Sequence, residues 1–166
     1  MANGLIERAY SYLTHNLKKI KTANGFNTDV PDGHVLHQQS PQTSQRIPAI
    51  YVNHGGVDFP SGSGMAEGIA GRYTAIVRYS IVGHTGTKAG QDDLLTKTLQ
   101  FQADILKAIH DDLYLRTAAS ENGDSTFVLT HHRISVIDAD EGLVYPESVI
   151  IFGGEFWFDR ISLDDL

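Results

Sequence analysis

Eight histidines and several acidic or glycine-rich runs are the residues in this sequence whose types could do chemistry. His131 and His132 are adjacent in a run that reads as a strand, so their side chains leave opposite faces and cannot share one ion. His110 precedes Asp111 and Asp112 where a helix ends. An imidazolium is favoured there by the helix dipole, and the carboxylates read as solvated. A metal site built from His110, Asp111 and a strand histidine lacks the ligand spacing of known motifs. The run Asp138-Ala139-Asp140-Glu141-Gly142 resembles the start of a calcium loop, but Gly142, Leu143 and Val149 stand where that loop needs an acid or amide, a glycine and a glutamate. It reads as an acidic turn between two strands, free to meet a neighbouring subunit.

The esterase-like "HGG" at His54 and "SGSG" at Ser61 also fail on context. Neither Ser61 nor Ser63 has glycines two residues away on both sides, and no strand runs straight into a helix there. Gly62, Gly64 and Gly68 lack phosphate-loop spacing, and no Gly-Lys-Ser/Thr follows. Phe152, Phe156, Trp157 and Phe158 could stack bases, yet only Arg160 lies nearby to supply the positive groove such platforms need. They read as core and sheet packing. No cofactor is expected.

The elements that must position these residues follow from periodicity. Leu5, Ile6, Ala9, Leu13, Leu17 and Ile20 recur at helical spacing over 3–20, with Lys18, Lys19 and Lys21 at the negative end and Asn24-Gly25 as the stop. An extended piece from Phe26 is broken by Pro31-Asp32-Gly33 before the apolar pair Val35 and Leu36, which gives a short peripheral strand. Residues 37–46 form a polar arm, 48–52 a strand, and 54–71 a glycine-rich loop. Over 73–82, Tyr73, Ala75, Val77, Tyr79 and Ile81 alternate with Thr74, Ile76, Arg78, Ser80 and Val82, the pattern of a strand with two distinct faces. A second helix is predicted over 91–111 and two more strands over 127–137 and 149–159. The expectation is a single α+β domain over 1–166: a mixed, largely antiparallel sheet of about five strands with two helices packed on one face.

Composition narrows the function classes. A formal charge of -7 disfavours gripping nucleic acid or an anionic membrane, and the absence of cysteine excludes disulfides, thiolate nucleophiles and cysteine-based zinc sites. The opening "MANGLIERAYSYL" reads as neither signal peptide nor membrane span, so a soluble product of the cytoplasm is expected.

The organisation resembles the tail terminator (minor tail protein U) family of long-tailed bacteriophages. The features that carry the resemblance are a helix through Ile20, a short strand pair around "GFNTDVPDGHVLH", the proline-led "IPAIYV", the long "RYTAIVRYSIVG", an amphipathic helix, and "ISVIDADEGLVYPESVIIFGGEFWF". It covers nearly the whole chain, but the glycine-rich loop and the "ISLDDL" tail depart from shorter family members. It implies a structural virion protein and no enzyme. Such a protein forms a ring, typically of six subunits, that caps the head-proximal end of the tail tube, stops its growth and joins it to the neck. Its partners would be copies of itself, the tail tube protein and a neck or head-completion protein, with DNA passing through unbound. Candidate contact residues are Asp138, Asp140 and Glu141 with Arg46, Arg72 and Arg78. Two other readings stand beside it: another neck or tail-completion protein, and a small metal-dependent hydrolase.

Overall fold

The computed structural model describes residues 4–37, 47–60, 73–85, 94–137 and 149–166. In chain order its elements are α1 (Leu5–Lys18), β1 (Val35–His37), β2 (Ala49–Asp58), β3 (Tyr73–His84), α2 (Leu94–His110), α3 (Arg116–Glu121), β4 (His131–Ile137) and β5 (Val149–Ile161). The five strands form one sheet in the order β1-β2-β3-β5-β4. Only β1 and β2 pair in parallel; the three other ladders are antiparallel. The expected mixed, largely antiparallel sheet and α+β class are therefore observed.

All three helices bury their apolar stripes against one face of the sheet. Leu5, Ala9, Leu13 and Leu17 of α1, Phe101, Ile105 and Ile109 of α2, and Ala118 and Ala119 of α3 join a single core with Ile50, Val52, Ala75, Val77, Tyr79, Ile81, Phe152, Phe156 and Phe158. The strand residues of that list recur at every second position, as the pleat requires. Burial of so many large side chains, each worth about 1.5 to 3 kcal/mol, is the main driving force of the fold. Among the described residues, no helix is long and apolar enough to cross a membrane.

Several boundaries differ from the sequence reading. α1 ends at Lys18, and the left-handed Gly25 closes a separate 3₁₀ turn, Thr22–Asn24, instead of the helix. No strand forms at Phe26; a second 3₁₀ turn, Asp32–His34, leads directly into β1. The glycine-rich loop placed at 54–71 is corrected at its start, because β2 runs on to Asp58. A register shift between His54 and Gly56, with Gly56 at φ 102°, absorbs the glycines as a bulge that a residue with a Cβ would strain. Its remainder lies outside the described residues, as does the polar arm placed at 37–46 except for its first residue: His37 belongs to β1, paired with Val52 of β2. β4 begins only at His131, although Thr130 already donates its N–H to the Trp157 carbonyl at 3.0 Å. α3 had no counterpart in the sequence reading.

Candidate subunit-contact surface

The face of the sheet turned away from the helices carries a charged row across three strands. Arg78 on β3 lies opposite Glu155 on β5, which lies opposite Arg133 on β4. This parity follows from the core: Val77 and Tyr79 point inward, so Arg78 must point out. Its guanidinium pairs with Asp58 of β2 and reaches Glu155 Oε1 at 3.4 Å, while Trp157 Nε1 donates to Glu155 Oε2 at 3.2 Å. Half of the Arg78 side chain stays exposed. The next row is Ser80, Gly153 and Ser135. Gly153 brings no side chain to that row, and a shallow depression of about 330 Å³ opens there, lined by Arg78, Arg133, Ser135 and Glu155 among others.

Beside this row the sheet ends. Among the described residues β4 has one ladder partner, β5, so its other side offers main-chain donors and acceptors of the kind that an added strand can pair with. Val128, two-thirds exposed, marks the approach to this edge. Arg78 is the one candidate contact residue that the structure places. Arg46, Arg72, Asp138, Asp140 and Glu141 lie outside the described residues.

Polar groups on the helix side are occupied differently. Asp124 Oδ2 accepts from Arg8 Nη1 at 2.9 Å and from the Tyr12 hydroxyl at 2.6 Å, while Oδ1 accepts from the Thr126 N–H and hydroxyl at 3.0 and 2.8 Å. These bonds, that of Tyr12 foremost, hold its carboxyl well below the usual range. Asp104, buried on α2, takes three bonds from the backbone and side-chain amides of Asn27. Asp112 is not a solvated acid as the sequence suggested. It is buried and accepts from the N–H groups of Thr117 and Ala118 at 3.0 and 2.8 Å, and from Asn16 Nδ2 at 3.1 Å. It thus satisfies orphan donors in the first turn of α3 and ties that turn to α1.

His131 and His132 diverge as expected. His131 is exposed beside Trp157, whereas His132 is buried between Tyr79 and Phe156. Its Nδ1 lies 2.9 Å from the Leu113 carbonyl, which can only accept, so Nδ1 carries the hydrogen and Nε2 accepts from the Tyr79 hydroxyl. Burial pushes its pKa down to about 4, so the ring is neutral near pH 7. Tyr79 in turn packs directly on Gly154: a Cβ there would fall 2.0 Å from the Tyr79 Cζ. Among the described residues, no group of three or more His, Asp or Glu side chains is arranged to hold a metal ion.

The roles of Asp104, Asp112 and Asp124 as hydrogen-bond anchors, and the pairing of Tyr79 with His132, were not read from the sequence. The only local signal was the turn Asn122-Gly123-Asp124, with Gly123 at φ 73°. No family model matches the chain, and no curated protein matches it either.

Proposed function

We propose that the chain is a structural virion protein of the tail terminator kind. In this reading it assembles into a ring, of six copies, that caps the head-proximal end of a phage tail tube, stops tube polymerisation and offers the surface for head–tail joining. The observation that carries the reading is the outward row Arg78, Glu155 and Arg133 set beside β4, which among the described residues ends the sheet: a charged, strand-ended surface on an otherwise well-packed domain. The order of elements along the chain supports it: helix, short edge strand, long strands, amphipathic helix and final strand pair follow the sequence expectation, apart from the strand expected at Phe26, which does not form, and the added α3. The protein in this role is not an enzyme and needs no cofactor. Its partners are its own copies, the tail tube protein and a neck or head-completion protein. A net charge of -7 on each copy suits a channel through which DNA passes without sticking.

Capping is testable directly. Purified protein added to polymerising tail tube protein should give tubes of limited length, with extra density at one end in negative-stain images. Unchanged tube lengths and bare ends would refute the proposal.

A further inference from the structure

A groove of about 520 Å³ runs along α1 and is also lined by His37 of β1. Ser11, Thr14, His15 and Lys18 line it at spacings of three and four residues, which puts them on one strip of the helix. Thr14 Oγ1 lies 3.1 Å from His37 Nε2 and holds the ring beside α1. Lys18 is exposed and makes no ion pair among the described residues. The carboxylate of Glu121 is already taken by His15 at 2.7 Å and Lys19 at 2.6 Å. Glu7, the groove's own acid, sits three helical turns from Lys18, roughly 16 Å along the axis. Burial, and then the neighbouring Lys18 ammonium, hold the His37 imidazole below its ordinary pKa. Among the described residues, two basic side chains are therefore kept together with no ion pair to either, an arrangement that a bound anion would relieve.

We propose that this groove is a binding site for a phosphate or sulfate group, held by the Lys18 ammonium and a protonated His37, with the Ser11 hydroxyl as a further donor. The proposal stands apart from the capping role and uses a different side of the molecule. Around His37, α1 contributes Lys18, His15 and Glu7, the end of α3 contributes uncharged Asn122, and β2 places Val52 opposite it in the ladder. Anion binding is thus coupled to the charge of His37 and strengthens as pH falls through its pKa.

Sulfate is the suitable probe, because it keeps its charge across this range. In nitrogen-15-labelled protein the His37 ring should titrate about one pH unit higher in sulfate than in chloride of equal ionic strength, which means about tenfold tighter binding to the protonated form. The exposed His110 and His131 serve as controls and should not move. Lys18→Gln, on the helix surface, should leave the fold intact and remove the difference. Ribose 5-phosphate binding more tightly than sulfate would identify a phosphate ester as the ligand, and equal binding a free anion. Identical His37 titrations in sulfate and chloride, or a difference that survives Lys18→Gln, would overturn the proposal.

Discussion

On β5, Phe152, Phe156 and Phe158 point toward the helices while Gly153, Glu155 and Trp157 point away, so one strand serves two surfaces built to different rules. The inward surface is aromatic and tightly fitted. Tyr79 stacks on Phe156 at 4.6 Å between ring centroids, and the polar atoms there that hydrogen-bond, such as those of Tyr79 and His132, meet partners inside the protein. The outward surface keeps Arg78 half exposed between Asp58 and Glu155, with Arg133 beside them. The same side of the sheet also holds a smaller buried cluster of Ala49, Tyr51 and Val82, where the Tyr51 hydroxyl and His84 Nδ1 are buried without a hydrogen-bond partner among the described residues. The contrast separates two tasks. Groups satisfied in the interior fix the fold, whereas the solvent-exposed charges of the outward row, Arg78 and Arg133, are available to contact something else.

If that division is right, substitutions on the inward surface act on stability. The largest effect is expected from Gly154→Ala, because the new Cβ would overlap the Tyr79 ring; a loss of roughly 3 kcal/mol should appear in urea unfolding. A variant as stable as the parent would show that the Tyr79 ring has room to move. Acid titration probes the same surface. His132 has a folded pKa of about 4, below the ordinary value near 6.5, so the unfolded chain binds the extra proton first. Stability should be complete above pH 6.5 and fall by up to about 3 kcal/mol as pH drops toward 4. Replacement by Phe should flatten that slope. An unchanged slope in His132→Phe would assign the acid sensitivity elsewhere.

Asp124 comes next in size. Asp124→Asn weakens the anchor between α1 and the turn after α3, and should cost roughly 2 kcal/mol by the same unfolding measurement at neutral pH. Since its folded pKa is depressed, its contribution is present above the ordinary carboxylate pKa and is lost as pH falls below it, so parent and variant should converge in acid.

How far these surfaces could be read in advance depended on sequence distance. The two faces of β3 were legible because Tyr73, Ala75, Val77, Tyr79 and Ile81 alternate with a set that includes Thr74, Arg78 and Ser80, and the pleat converts that alternation directly into sides. The stripe of α1 was legible for the same reason at its own period. Arg78 was placed outward by that pattern, but its partner Glu155 lies 77 residues away, and nothing local announces it. Asp124 meets Tyr12 and Arg8 across 112 and 116 residues. The six-residue α3 is too short to establish a period, and its first turn is capped by Asp112 from outside the helix. Gly55 and Gly56 read as loop because a bulge and a loop ask for the same residue.

The smallest effect on folding, and the largest on assembly, belongs to Arg78. The decisive measurement is the mass of the purified chain in solution by sedimentation, for the parent and for Arg78→Glu, with circular dichroism to confirm that both fold alike. The account predicts a closed six-chain species for the parent that dissociates in the variant while the spectra stay the same. A parent chain that sediments as a single copy at every concentration, or a six-chain species indifferent to Arg78→Glu, would contradict the assignment of the outward face to subunit contact.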